Sequence, residues 1–144
     1  MIIVKGKRLQ KYMELLKANN IKITPQRLAI VRLLDEHGHI SVREIFEKIK
    51  ENFPSLSLAT VYKNINAMME NRFINELKIV GQENKYELVK ERHSHLICRE
   101  CGHIEDVKID TSRLEESVPV ETGFAVEESS VQFFGLCRAC QSKK

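Results

Sequence analysis

Four cysteines in two Cys-x-x-Cys pairs are the feature that most limits what this 144-residue chain can be. The pairs are Cys98/Cys101 and Cys137/Cys140, and the chain has no other cysteine. Four thiolates are the tetrahedral ligand set of a structural zinc, and the two-residue spacing lets both sulfurs of a pair face one ion. The 35 residues between Cys101 and Cys137 are enough for strands to run out and return. The sequence therefore predicts one structural Zn²⁺ per chain, in a site with no open position for catalysis.

A thiol redox pair is the main alternative for these cysteines, but it lacks a thioredoxin-like βαβ context and leaves the second pair unexplained. No apolar stretch is long enough to span a membrane. The first residues place apolar side chains before basic ones, the reverse of a secretory signal. We therefore expect a cytoplasmic protein with no membrane segment, in which paired cysteines bind metal.

Capping signals divide the first half of the chain into helices. Thr24 followed by Pro25 predicts the start of one helix. Ser41 and Glu44 form a capping box that predicts the start of another. Ser57 caps a further helix, whose predicted buried stripe is Leu58, Val61, Ile65 and Met68.

The pattern changes from helices to short strands after residue 71. Residues 73–80 and 85–89 are β-compatible runs around a polar turn, which predicts a hairpin. Helices followed by a hairpin are the plan of a winged helix-turn-helix domain. The rest is typical of strands with one short helix that ends before Pro119. We therefore expect an α+β chain, with a winged helix-turn-helix domain over 1–89 and a small α/β domain with the Cys₄ site over 90–144.

Charge distribution and one helix face favour contact with a polyanion. Residues 1–72 have a net charge of +6 and residues 73–144 a net charge of −3. The helix after Ser57 presents small and hydrogen-bonding side chains that suit a DNA major groove. A chance charge distribution and an ordinary solvated helix face remain as alternatives at this point. The residues predicted to contact DNA are Arg27, Ser57, Ala59, Thr60, Tyr62 and Lys63.

A His-x-His pair suggests a second metal site. His93 and His95 project from the same face of a predicted strand, which makes a bidentate platform for Fe, Mn, Zn or Ni. Glu87, Asp106 and the upstream His39 complete a mixed nitrogen and oxygen set. The alternative, that the two histidines are exposed polar residues beside a hinge, stays open on spacing alone.

Taken in order, these motifs resemble the ferric uptake regulator (Fur) family. The matching segments are Thr-Pro-Gln-Arg (24–27), Ala-Thr-Val-Tyr-Lys (59–63), His-Ser-His-Leu-Ile-Cys (93–98), Cys-Gly (101–102) and Gly-Leu-Cys-Arg-Ala-Cys (135–140). The family consists of homodimeric bacterial repressors that bind palindromic double-stranded operators when loaded with metal. The resemblance implies a homodimer formed through the second domain, and a regulator rather than an enzyme.

The resemblance also implies two metal sites in this chain. It puts the structural zinc on Cys98, Cys101, Cys137 and Cys140. It puts a regulatory site between the two domains, for Fe²⁺ or another divalent metal such as Mn²⁺ or Zn²⁺. The implied ligands of that site are His39, Glu87, His93, His95 and Asp106.

Departures from the family pattern leave the subtype open. A further site of many iron-sensing members falls on Arg92, Ser94 and Ser129, which are poor ligands, so we expect it to be absent. Asp106 resembles the peroxide-sensing (PerR) branch, whereas Glu87 resembles the iron-sensing one. Iron homeostasis is the first interpretation, iron-dependent peroxide sensing the second, and zinc- or manganese-uptake control the third.

Two functions of other classes are less well supported by the sequence. A zinc hydrolase would need a His-Glu-x-x-His motif, and a zinc deaminase a His-x-Glu followed by Pro-Cys-x-x-Cys. The chain has a His-x-Glu at residues 103–105 but neither complete motif. A protein-binding zinc module would leave the basic first half unexplained.

Overall fold

The structure, a computed structural model, describes the backbone of residues 2–143 and the side chains of residues 8–143. The chain divides into two compact units, Met1–Lys90 and Glu91–Lys144. The first contains α1 (Ile2–Ala18), α2 (Pro25–His37), α3 (Val42–Ile49), α4 (Leu58–Glu70), β1 (Ile74–Leu77) and β2 (Lys85–Leu88). The second contains β3 (Ser94–Cys98), β4 (Ile104–Val107), α5 (Ser112–Thr122), β5 (Gln132–Gly135) and α6 (Arg138–Gln141). This is the α+β fold that the sequence predicts, and no helix in the described residues is long and apolar enough to cross a membrane.

Polar side chains begin three helices of the first unit, as predicted. The Thr24 hydroxyl accepts a hydrogen bond from the first turn of α2. Ser41 accepts from the Glu44 N–H (3.1 Å), and the Glu44 carboxylate accepts from the Ser41 N–H (3.2 Å), which completes the capping box of α3. Ser57 accepts from the first turn of α4. Each hydroxyl satisfies an N–H that has no partner within its own helix.

One apolar core joins the helices of the first unit to its hairpin. Val61, Ile65 and Met68 of α4 are fully buried in this core, as predicted. Leu58 was predicted to lie with them, but its side chain is 41% exposed. It is the first residue of α4, where the helix has not yet completed a turn over the core. Other fully buried members include Leu16, Ile30, Val31, Leu34, Ile40 and Ile45.

A short β-bridge ties the start of α3 to the hairpin of β1 and β2. The Ile40 N–H donates to the Tyr86 carbonyl (3.1 Å), and the Tyr86 N–H donates to the Ile40 carbonyl (2.8 Å). Gly38, with a φ of +76°, ends α2 and allows the chain to turn toward the bridge. Residues one step from an antiparallel pair are also opposite each other, so the bridge places His39 opposite Glu87.

β3 is the central strand of the second unit, in a sheet of order β4-β3-β5. It pairs antiparallel with β4 and parallel with β5. The register places His95 opposite Asp106 and Cys98 opposite Gly135. One short strand therefore has His95 near its start and Cys98, the first cysteine of the first pair, at its end.

α5 is longer than the sequence predicts. We expected a helix that ends before Pro119, but Pro119 lies inside α5, which continues to Thr122 and ends at Gly123. Proline removes one N–H from the helix, but it keeps its carbonyl, which accepts a hydrogen bond from the Gly123 N–H (2.8 Å). One strand, β5, follows α5 in the part of the chain that the structure describes.

Candidate functional site

The two cysteine pairs come together at one end of the second unit. Cys98 ends β3, and Cys101 follows a turn in which Gly102 has a φ of +77°. Cys137 lies immediately before α6 and Cys140 within it. One sulfur from each of the four residues lies within 4.8 Å of the others, and the Cys101 and Cys137 sulfurs are 3.7 Å apart. Zinc–sulfur bonds of about 2.3 Å in a tetrahedron put sulfurs about 3.8 Å apart, so the cluster fits a zinc ion.

Backbone N–H groups prepare this cluster for a cation. The N–H groups of Cys101 and then Cys137 lower the pKa of the Cys98 thiol to about 6. The Cys137 nitrogen lies 3.4 Å from the Cys98 sulfur. The pKa of Cys140 is raised to about 12, first by its hydrogen bond with Cys137 and then by burial. Zinc binding therefore displaces protons from the cluster, and its affinity falls as the pH is lowered.

His93, His95 and Asp106 form a second group of donor atoms in the same unit. The Nε2 atoms of the two histidines are 3.1 Å apart. Each Nε2 lies 3.5 Å from Oδ1 of Asp106. Ligands held at about 2.1 Å around a tetrahedral or octahedral ion lie about 3.0–3.4 Å from one another. The three atoms therefore have the spacing of one face of a metal coordination sphere.

His39 and Glu87 form a donor pair within the first unit. The β-bridge at Ile40 places them side by side, and His39 Nε2 lies 2.9 Å from Oε2 of Glu87. Glu87 is buried, and a buried carboxylate is costly unless cations or hydrogen-bond donors surround it. An imidazole nitrogen beside a carboxylate oxygen is a donor pair suited to borderline divalent metals.

The predicted DNA-reading residues lie on α4 and beside it. Ser57, Ala59 and Lys63 are exposed, Thr60 is half-buried, and the Tyr62 side chain is 45% exposed. The hydroxyl oxygens of Ser57 and Thr60 are 2.9 Å apart, and the Ser57 hydroxyl accepts the capping hydrogen bond from the Thr60 N–H. The first two turns of α4 leave Tyr62 and Lys63 as exposed large polar side chains.

Asn64 also lies in this region, although it is not among the residues predicted to contact DNA. Its Oδ1 accepts a hydrogen bond from Arg27 Nε (3.0 Å), and its Nδ2 donates to the Thr60 carbonyl (3.1 Å). Arg27 also donates through Nη1 to the Lys22 carbonyl (3.0 Å). Asn64 therefore holds Arg27 of α2, which is predicted to contact DNA, against α4. Only its four-residue spacing from Thr60 is visible in the sequence, because its contact with Arg27 spans 37 residues.

Comparison with known proteins gives a consistent relationship along nearly the whole chain. The profile of the ferric uptake regulator family matches residues 18–134. The ferric uptake regulation protein of Bacillus subtilis is 30% identical over 144 residues, which cover 95% of this chain and 97% of that protein. The peroxide operon regulator of the same organism is 31% identical over 138 residues, which cover 94% of this chain and 95% of that protein.

A solved structure agrees with these relatives. The solved structure of the Helicobacter pylori ferric uptake regulator has 27% sequence identity to this chain and a TM-score of 0.69. The match covers 94% of this chain and 93% of that one. The family profile spans well over half of the chain, in the segments that contain α2, α4 and the first cysteine pair. The chain therefore belongs to the ferric uptake regulator family.

Proposed function

We propose that this protein is a cytoplasmic, metal-dependent repressor that controls iron homeostasis by binding a palindromic DNA operator as a homodimer. The observation that carries the proposal is the trio of donor atoms from His93, His95 and Asp106, which lie 3.1–3.5 Å apart. This group is separate from the closed thiolate set. One set therefore suits a permanent structural zinc, and the other suits an exchangeable regulatory ion.

The regulatory site in this proposal combines ligands from both units. His39 and Glu87 of the first unit join His93, His95 and Asp106 of the second around one divalent ion. The bound ion supplies a positive charge that both ligand groups share. Ligation from both units favours one arrangement of the units, and DNA affinity rises by the difference in metal affinity between that arrangement and the others. Ligands confined to one unit would bind equally in every arrangement and would shift nothing.

The ligand chemistry favours Fe²⁺ as the regulatory ion. Three imidazoles and two carboxylates are a borderline set, which suits iron better than the all-thiolate set does. The same set accepts Mn²⁺ and Zn²⁺, so the control of manganese or zinc uptake is the outcome to expect if those ions activate DNA binding at lower concentrations than Fe²⁺.

The second unit has a surface suited to self-association. Leu114 and Phe124 are each 66% exposed, Val120 is 86% exposed, and Phe133 of β5 is 46% exposed. No residue of α5 is buried. Apolar surface of this kind typically marks a protein–protein contact. A second copy of the chain is the partner in this proposal, because a palindromic operator requires two identical reading helices at half-site spacing.

Metal-dependent DNA capture tests the proposal. Zinc-loaded protein prepared without oxygen is incubated with genomic DNA fragments and increasing Fe²⁺, Mn²⁺ or Zn²⁺. We expect retention of specific fragments only with a regulatory metal, and most readily with Fe²⁺. His93→Ala should abolish this retention and keep the structural zinc, whereas His103→Ala, at an exposed histidine of the same unit, should change neither. DNA capture that is equally strong with a chelator would contradict the proposal.

Iron-dependent peroxide sensing is the second candidate, favoured by Asp106 and by the peroxide operon regulator among the relatives. The same iron-loaded sample distinguishes it after addition of hydrogen peroxide. A ferrous ion held by these residues would react with peroxide to give an oxidant, and the nearest imidazoles would be its first targets. Mass spectrometry should then find oxygen added to His39 or His93, together with release of the DNA. Unmodified histidines with DNA still bound would assign the protein to iron sensing.

Tyr62 and Lys63 provide a test of the DNA-reading surface. Lys63→Ala should weaken operator binding and lower the salt dependence by about one unit per subunit, because one phosphate contact is lost. Tyr62→Ala should weaken binding with little change in that dependence. Lys78→Ala, at an exposed lysine of the first unit outside α4, is the matched control. Full affinity in both α4 variants would place the DNA-reading surface elsewhere.

A further inference from the structure

The two residues before His93 are held to the second unit by two separate ion pairs. Arg92 contacts Glu115 of α5 through its Nη2 atom, and the same nitrogen donates to the Ser129 hydroxyl (2.7 Å). The Glu91 carboxylate pairs with Lys108, the residue that follows β4. The chain entering β3 is therefore attached to α5, to the segment before β5 and to the end of β4.

The Arg92 cluster is closed by its own charges and hydrogen bonds. Glu115 Oε1 also accepts from the Thr111 hydroxyl (2.6 Å) and from the Ser129 hydroxyl (3.1 Å). These contacts, with that of Thr111 the largest, lower the pKa of the Glu115 carboxyl, so it is charged at neutral pH. A guanidinium is charged at every physiological pH. The cluster thus consists of a fixed cation, a fixed anion and two hydroxyls, and it needs no metal ion.

The backbone of the same short segment determines the protonation of the His93 ring. Nδ1 of His93 lies 2.7 Å from the Glu91 carbonyl oxygen. A carbonyl oxygen can only accept, so Nδ1 carries a proton, and in the neutral ring Nε2 then keeps its lone pair. That Nε2 is the atom 3.1 Å from His95 Nε2 and 3.5 Å from Asp106. A partner on the second ring nitrogen is the usual means by which proteins orient a histidine for metal binding.

We infer that Arg92 is a positioning residue, which holds the Glu91 carbonyl where it fixes His93 in the Nδ1–H tautomer before any regulatory ion binds. The inference rests on the proposed regulatory site, whose affinity it explains. Without the Arg92 cluster, the Glu91 side chain is still paired with Lys108, but that pair is exposed and contributes little. The His93 ring then gains orientations and tautomers in which Nε2 cannot ligate. Part of the binding free energy must then be used to order the ring.

The experiment uses full-length, zinc-loaded protein with no added regulatory metal. Long-range ¹⁵N NMR of the imidazoles reads the tautomer of His93, and titration with Co²⁺, followed by its visible absorption, reads the site. In the native protein we expect a single Nδ1–H tautomer. Arg92→Gln should give a mixture of tautomers and about tenfold weaker Co²⁺ binding, within the range seen when outer-shell partners of metal ligands are lost.

Matched variants separate positioning from a general loss of structure. Arg113→Gln removes the same charge from the exposed side of α5 and should change neither measurement. Arg92→Lys keeps the charge and should restore part of the Co²⁺ affinity. If Arg92→Gln loses its structural zinc, Ser129→Ala is the milder variant to use. It removes one acceptor of the Arg92 guanidinium, and the same two measurements are made on it.

The outcomes distinguish this inference from the proposed function. A native Nδ1–H tautomer and native Co²⁺ affinity in Arg92→Gln would overturn the positioning role and leave the regulatory site in place. A native protein that has the single tautomer, loses it in Arg92→Gln and yet binds no Co²⁺ would support the positioning role and overturn the regulatory site.

Discussion

Replacing Cys137 with serine is expected to remove the zinc, the folded second unit and the dimer together. Structural zinc sites of this kind contribute apparent binding free energies of about 10–16 kcal/mol, which is comparable to the whole net stability of a typical domain, about 5–15 kcal/mol. In the described residues of the second unit, the buried apolar side chains are Ile97, Cys98 and Cys140. In the proposed function, a zinc ion bound by the four thiolates therefore takes the place that an apolar core has in the first unit.

The measurement combines three readings on one sample. Metal analysis should fall from about one zinc per chain to none. Sedimentation should show monomers, and NMR should show a folded first unit beside an unfolded second one. Arg138→Ser, at the exposed residue next to Cys137, is the control and should keep zinc and dimer. A Cys137→Ser protein that stays dimeric and zinc-loaded would exclude the assignment of this cluster.

Replacing His39 with alanine is expected to separate metal binding from DNA binding. With Glu87, His39 is one of two proposed ligands from the first unit, and Glu87 remains when it is removed. Four ligands should still bind the regulatory ion, with lower affinity. The preference of the ion for one arrangement of the units becomes much smaller, so the metal-induced increase in operator affinity should largely disappear.

Two titrations on the same preparation measure this effect. One follows metal binding to the free protein, and the other follows operator binding with and without saturating metal. His37→Ala is the matched control, since this exposed histidine ends the helix just before His39 and has no place in the proposed site. A result in which His39→Ala lowers the metal affinity and the metal-induced increase in operator affinity by the same factor would contradict the proposal. His39 would then act only as a metal ligand and would not connect metal binding to DNA binding.

The sequence predicts those parts of the fold and site that depend on neighbouring residues. Ser41 and Glu44 are three residues apart, and their capping box forms as predicted. The cysteines of each pair are also three positions apart, so each pair was predictable as a unit. His93 was predicted to share a strand with His95, but it lies immediately before β3, and its Nε2 is nevertheless 3.1 Å from that of His95.

The parts that were not predictable depend on contacts between distant residues. Arg27 meets Asn64 across 37 residues, and Arg92 meets Ser129 across 37 as well. Local rules cannot identify such partners, because many pairings are compatible with the same spacing. Pro119 is a case in which a local rule fails. The rule ends a helix before proline, but the Pro119 carbonyl accepts a hydrogen bond from the Gly123 N–H and α5 continues to Thr122.

β3 contains one residue of each candidate metal group, and under the proposed function this has a consequence for the nutrients to which a cell with this regulator responds. His95 and Cys98 lie on one strand, about 10 Å apart along the chain. In the proposed function, zinc at the end of β3 stabilises the strand that contains His95, so the regulatory site depends on the zinc site. A cell short of zinc would then make fewer chains able to bind iron, and the target genes would be expressed as if iron were scarce. Zinc supply in this view sets how many working sensors exist, and iron supply sets how many of them are switched on.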